Sequence, residues 1–290
     1  MRNRLYPFYF SVGAILLYSL FIVIPSFMGF YYSFTDWNRY SSEVHFIGLE
    51  NFRTILTSNV TYLRGIKNTL IFTAATIITK TVIGLFLAML LSRGIRRFST
   101  VHRALIYLPT MLPMIVVGIV FRSILHPSTG MLNVFIRAIG LDFLAQQWLT
   151  NPKIALYSIV SVDTWKGVGF IMVLLIAGLE SIPRDYYEAA RIDGANAFDE
   201  FRLITLPLLM PVLTVTTVLN LLYGLKIFDI VWVLTNGGPG YATETVYTMV
   251  FKEFSKGHYG LSTALSTALF IIMTFVGFFL IQLMHRQEQY

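Results

Sequence analysis

Polar and apolar positions in this chain fall into long blocks, without the alternation of a half-buried strand or the single stripe of a surface helix. Six stretches are almost wholly apolar: residues 8–30, 68–91, 104–125, 154–179, 206–234 and 261–284. Crossing about 30 Å of hydrocarbon at about 1.5 Å per residue takes about 20 residues, so each block is long enough for a transmembrane helix. The first and last blocks carry no charge, the second only Lys80 and the third only Arg122 near its end. The fourth contains Asp163 and Lys166, and the fifth Lys226 and Asp229. The pattern predicts an all-α membrane protein of six transmembrane helices. It also predicts a single domain over residues 1–290, because every connection is too short to fold alone. Arg2 and Arg4 before the first block resemble the start of a signal peptide. The run that follows is too long for a signal core and lacks a small-residue cleavage site, so an uncleaved first helix is expected.

Composition agrees with the blocks. The chain is 56% hydrophobic and 13% charged, against about 45–50% and about 25% for soluble domains, which excludes an ordinary cytosolic enzyme. The net charge of +7 comes from basic residues scattered among apolar runs, not from a stripe that would follow a nucleic-acid backbone. With no cysteine, disulfides, thiolate chemistry and cysteine-ligated metals are excluded, and no cofactor or metal is expected. Six spans place both termini on one face. Arg93, Arg96, Arg97 and Arg103 crowd the second loop, and Arg2, Arg4 and Arg286 share its side, which the positive-inside rule makes cytoplasmic. The other face also holds Arg39, Arg53, Arg64, Lys67, Arg137 and Lys153, so charge counting alone does not settle orientation.

One connection is more than a linker. Residues 180–206 are the most charged stretch, yet they keep helical periodicity. Pro183 suits a first helical turn, Asp185 and Glu188 suit the positive end of a helix dipole, and Gly194 suits its C-terminal cap. A second short helix is expected from Asn196, with Phe198, Phe201 and Ile204 on one face and Pro207 leading into the next span. A helical hairpin on the membrane surface and an element docked in a partner's groove both fit this periodicity.

Within the loop, Glu188-Ala189-Ala190, three residues, Gly194, nine residues and Ile204-Thr205-Leu206-Pro207 resemble the EAA signature of binding-protein-dependent ABC importer permeases. Phe46-Ile47-Gly48-Leu49-Glu50-Asn51-Phe52, Leu108-Pro109, Ala177-Gly178-Leu179 before Ile182-Pro183, and Leu234-Thr235-Asn236-Gly237-Gly238-Pro239 after Phe228-Asp229 are similar to the carbohydrate-uptake branch. That branch includes the maltose- and glycerol-phosphate-type first permease subunits. The resemblance implies the ABC importer permease fold, with a cytoplasmic EAA coupling helix that moves in a cleft of an ATPase dimer. It also implies a second, nonidentical permease, a solute-binding protein and a sugar substrate. The chain itself is then not an enzyme, and it has no GxxxxGK[ST] to hold nucleotide phosphates. In this family Glu188, Ala189, Ala190 and Gly194 form the coupling element, with Glu188 facing the ATPase. The sugar cavity is lined around Gly167–Phe170 and Asn220–Ile227, which makes Trp165, Gly167, Phe170, Asn220, Tyr223, Gly224 and Ile227 the expected substrate-side residues.

The charges inside the spans carry two readings. Asp163 with Lys166, and Lys226 with Asp229, are spaced i,i+3, where opposite charges meet on one helix face. They serve either as structural ion pairs or as polar contacts beside a substrate. Lys80 reads as an interhelical contact. Asn236–Pro239 reads as a turn on the outer face, either purely structural or supporting a docked binding protein. Two other classes compete with the importer. In an ion-driven secondary transporter Asp163 and Asp229 would be coupling carboxylates. An intramembrane enzyme would need His45, His102, His126, His258 or His285, all of which lie outside the spans or at their ends.

Overall fold

The computed structural model describes residues 9–58, 60–94 and 99–285. Arg2, Arg4, Arg96, Arg97, Arg286 and the side chain of Arg93, on which the orientation argument leans, lie outside that description. The described chain is almost entirely helical, as a segment in hydrocarbon must be when no water is present to satisfy its backbone.

The elements are α1 (Tyr9–Tyr18), α2 (Ile24–Tyr32), α3 (Glu50–Arg53), α4 (Val60–Met89), α5 (Ser99–Met111), α6 (Met114–Ile124) and α7 (Met131–Ala138). They continue with α8 (Ala155–Glu180), α9 (Asp185–Ile192), α10 (Ala197–Asp199), α11 (Leu206–Leu225), α12 (Asp229–Thr235), α13 (Val246–Ser255) and α14 (Tyr259–His285). π-helical turns at Ser19–Val23 and Glu200–Thr205 each run into a helix whose second residue is proline, Pro25 and Pro207. A proline offers no N–H to the carbonyl four residues back and crowds it, and the wider π turn relieves the clash without ending the rod.

Among the described residues, five helical segments are long and apolar enough to cross a membrane: Ser11–Tyr32, Thr61–Ser92, Ala155–Glu180, Ala197–Leu225 and Tyr259–Phe279. The third apolar block differs from expectation. It is two helices, α5 and α6, bent by 95° at Leu112–Pro113. Pro113 cannot continue the hydrogen-bond ladder, and the residue before it is pushed out of the helical region. The carbonyl of Thr110 instead accepts from Lys166 Nζ at 3.2 Å, while the Thr110 hydroxyl donates to the Lys166 carbonyl at 2.9 Å. The fifth block is also divided. α11 stops at Leu225, and α12 starts afresh at Asp229. The Thr245 hydroxyl donates to the Ile227 carbonyl inside that break at 3.1 Å.

The chain forms two compact units. One comprises the residues up to Leu63 together with Met249–Ile271; the other comprises Arg64–Thr248 and the residues from Ile272 onward. In the first, Asn51 is buried and its Nδ2 donates to the carbonyls of Ser33 (3.0 Å) and Thr35 (2.8 Å), closing the loop after α2. In the second, α8 is the central element. Its Met172, Leu175 and Leu179 pack with Leu209 and Leu213 of α11 and with Ala88 of α4. Higher on the same helix, Ile159 and Val162 pack with Phe72, Ile230 and Val231.

Candidate functional site

The loop after α8 shows why its motif has fixed spacing. α9 ends with Asp193 as its C-cap, followed by Gly194 at φ +89°. The Ala195 N–H donates to the Ala190 carbonyl (2.9 Å), and the Gly194 N–H to that of Arg191 (3.1 Å). These are the paired bonds of a Schellman ending, which needs a residue in left-handed conformation at the position glycine occupies. No atom lies within 4 Å of a Cβ built on Gly194, so backbone conformation, not space, demands the glycine. Asn196 then caps α10. Its side chain accepts from the N–H groups of Phe198 and Asp199, and the Asp199 side chain accepts from the Asn196 N–H, a reciprocal capping box. α9 begins at Asp185, so Pro183 precedes the helix and does not sit in its first turn.

Two contacts fasten this loop to itself. Arg191 Nε donates to Glu200 Oε1 at 2.7 Å, and the Tyr187 and Thr205 hydroxyls meet at 3.0 Å in a buried position. Tyr187 also joins the apolar cluster of α8 and α11. Glu188 and Ala189 face outward, beside Ile192 at 86% exposure and Phe198 at 65%. The loop therefore offers an apolar, acidic-edged ridge on a rigid base.

Within the spans, the i,i+3 ion pairs are not the ones formed. Asp163 Oδ2 lies 2.7 Å from Lys80 Nζ of α4, with both side chains buried. The Tyr223 hydroxyl of α11 donates to Asp163 Oδ1 at 2.6 Å, and Lys80 Nζ stands 4.5 Å from the centre of the Tyr223 ring. A buried lysine and aspartate are stable only when paired. Here Lys80 supplies the charge at Asp163 Oδ2, which takes no geometrically formed hydrogen bond, and Tyr223 supplies the hydrogen bond at Oδ1, so the cluster draws on three helices. Lys166, facing another way, caps Thr110. Lys226 and Asp229 are exposed and belong to separate helices, the lysine at the C-terminal end of α11 and the aspartate in the first turn of α12. Each complements its own helix dipole.

The expected substrate-side residues separate accordingly. Gly167 makes room for Lys80, since a Cβ there would sit 2.9 Å from Lys80 Cε and Nζ. Gly224 lies against Thr73 of α4, and Ile227 is buried in the apolar cluster with Ile230. Trp165, its ring 5.0 Å from that of Phe121, is half exposed, as are Phe170 and Tyr223. Asn220 is buried, with an Nδ2 that has no hydrogen-bond partner. An amide donor left unpaired in a membrane-spanning helix costs free energy until a ligand or water meets it. The arrangement thus offers one Tyr223 ring face held from behind, a Trp165–Phe121 pair and a free Asn220 donor. The Lys80–Asp163–Tyr223 cluster was not foreseen as a unit. The signal for it was a lone lysine and an aspartate in two different apolar blocks, each needing a partner.

The Asn236–Pro239 turn is firmly built. Asn236 caps α12 at φ +51°. Thr243 Oγ1 lies 2.7 Å from Thr235 Oγ1 and donates to the Gly238 carbonyl at 2.7 Å. Asn68 Nδ2 of α4 reaches the carbonyls of Ala242 and Glu244 at 3.1 and 2.9 Å.

Comparison with known proteins fits these features. The chain is 34% identical over 254 residues to the trehalose/maltose transport system permease protein MalF of Thermococcus litoralis, covering 88% of this chain and 85% of that one. It is 30% identical over 290 residues to the multiple sugar-binding transport system permease protein MsmF of Streptococcus mutans, covering 99% and 97%. Its fold is shared with a chain of a bacterial ABC transporter that imports the acidic polysaccharide alginate, at TM-score 0.84, 24% identity and 96% and 94% coverage. Such kinship displaces the ion-driven transporter, whose coupling carboxylate Asp163 is here tied up by Lys80. Residues 80–289, which contain the loop 180–206 and the helices α8 and α11 that flank it, match the binding-protein-dependent transport system inner membrane component family, and the chain belongs to it.

Proposed function

We propose that this chain is the permease subunit of an ATP-driven importer for a carbohydrate, an oligosaccharide handed over by an extracellular or periplasmic solute-binding protein. The observation that carries the sugar assignment is similarity, at 34% and 30% identity over most of the chain, to two permeases named for sugar transport. The chemistry supports it. A pyranose face stacks on an aromatic ring, and its hydroxyls need amide partners. The Tyr223 ring and the unpartnered Asn220 Nδ2 supply both from α11, and Trp165 and Phe170 of α8 supply further aromatic surface.

In this reading residues 180–206 dock in a cytoplasmic ATPase dimer, with Ile192 and Phe198 as apolar anchors and Glu188 at the rim. Both termini share that side. ATP is hydrolysed in the separate ATPase. The second, nonidentical permease closes the other half of the sugar path. The span Ser11–Tyr32, whose apolar window holds no buried residue among those described, is available to cover that subunit or lipid.

The test is sugar uptake by the reconstituted complex. Asn220→Ala removes one hydrogen bond, worth about 0.5–1.5 kcal/mol, and raises half-saturation by up to about tenfold. The Tyr223 hydroxyl is committed to Asp163. Tyr223→Phe therefore stays near wild type, while Tyr223→Ala, which removes the ring, does not. Unchanged kinetics in Asn220→Ala and Tyr223→Ala together remove the site. If Tyr223→Phe is as impaired as Tyr223→Ala, the hydroxyl, through Asp163 or through the sugar, and not the ring is what uptake requires.

A further inference from the structure

Between the end of α6 and the start of α8, α7 and the 3₁₀ turn Asp142–Leu144 present an apolar surface that is exposed among the described residues. Met131, Val134, Phe135 and Ala138 fall at i, i+3, i+4 and i+7 and are exposed, and Ile139, Phe143 and Leu144 extend the patch. Phe135 is 61% exposed and Phe143 is 73%. The helix is not free to roll this stripe inward. Asn133, on its opposite face, is buried and fully used: Nδ2 donates to the carbonyls of Pro127 (2.9 Å) and Gln146 (2.8 Å). Its Oδ1 accepts from Trp148 Nε1 (2.8 Å) and the Gln146 N–H (3.3 Å). One amide with four bonds fixes the rotation of α7 and holds its apolar side outward.

A patch of this extent in water marks an interaction site. Three features favour lipid over protein as the occupant. α7 is eight residues long, about 12 Å at 1.5 Å per residue, so it is too short to cross and is placed to lie along a boundary. It follows α6 after only residues 125–130, and the longer connection 139–154 leads through the Asp142–Leu144 turn to the membrane-crossing α8, so both attachments hold it near the ends of these helices. Its exposed cation, Arg137, adjoins the stripe, where an aliphatic stem lies on apolar surface and the guanidinium reaches a phosphate. Residues 122–153 hold Arg122, Arg137 and Lys153 against Asp142 alone, a net of +2 (3 − 1), which complements headgroup phosphates. We infer that α7 and the turn after it are a membrane-interface anchor. Its apolar stripe sits in the headgroup–acyl boundary of the leaflet opposite the coupling loop, since α8 runs from one to the other. There it fixes the height of α8, which carries Asp163.

Because the chain has no cysteine, the test uses single labels. Phe135→Cys, Phe143→Cys and, in the exposed loop before α7, Ser128→Cys are spin-labelled in the full complex. Its other subunits are cleared of thiols and it is reconstituted in phospholipid vesicles. Val134→Cys repeats the stripe measurement if either phenylalanine variant fails to assemble. Collision with oxygen, which concentrates in hydrocarbon, is compared with collision with a water-soluble nickel chelate. The anchor predicts an oxygen-to-nickel ratio higher at 135 and 143 than at 128. Nickel access at the stripe equal to that at 128 overturns it in favour of an aqueous face. Exclusion of both reagents at the stripe overturns it in favour of a protein partner.

Discussion

A lysine and an aspartate facing each other inside a bundle cost far more apart than together. Lys80 and Asp163, 2.7 Å apart and buried, neutralise one another, and the Tyr223 hydroxyl donates to the other carboxylate oxygen. Removing one partner strands a charge, which costs about 3–5 kcal/mol, whereas neutralising both is far milder. Lys80→Met is therefore expected to lower the thermal unfolding midpoint of the purified complex steeply, and Lys80→Met with Asp163→Asn to recover most of the loss. A double variant no more stable than the single one would contradict the pairing. The sequence marked Lys80 as an interhelical contact and Asp163 as a charge needing a partner. It could not join them, because the partners lie 83 residues apart (163 − 80), while the local i,i+3 spacing offered Lys166 as a nearer candidate. Side-chain spacing reads one helix at a time, and pairing between helices is set by packing.

At the scale of elements, legibility depended on whether the cause was local. The EAA-to-Gly194 interval is the length of one short helix plus its left-handed ending, and the Asn196 start is a side-chain cap, so both were written in adjacent residues. The break at Leu112–Pro113 was hidden because hydropathy averages across a proline, and the break after Leu225 because Lys226 and Asp229 read as a pair on one helix. The turn after α13 gives an element-scale test. Burial pushes the Glu253 carboxyl up, but hydrogen bonds from Lys256 Nζ (2.7 Å) and His258 Nδ1 (2.8 Å), with their charges, outweigh this and hold it below its ordinary 4.5. A carboxyl lowered in the folded state stabilises above its unfolded value and loses that contribution as pH falls through the lowered one. Amide exchange of Gly257 and His258, corrected for intrinsic rate, is expected to quicken as pH falls below about 4.5. Protection unaltered down to pH 3 would contradict that linkage.

At the scale of the molecule, the loop 180–206 and the proposed sugar site share their supports. α8 carries Asp163 and runs into the coupling loop, and α11 leaves that loop and carries Asn220 and Tyr223. Tyr187 of the loop shares a packed cluster with Met172, Leu175 and Leu209 of these helices, so in the proposed function a displacement of the loop would reach the site through packed side chains and two helices. The central claim is that this loop transmits work from a separate ATPase. The most direct measurement is ATP hydrolysis stimulated by the sugar-loaded binding protein in vesicles containing the complex with Gly194→Val. A β-branched residue at φ +89° is strained by about 1–3 kcal/mol and redirects α9 relative to α10. The spans, which gain no contact from residue 194, still assemble. The expected result is a complex present at normal levels whose stimulated hydrolysis and uptake are both lost. Wild-type stimulation and uptake in Gly194→Val would contradict it.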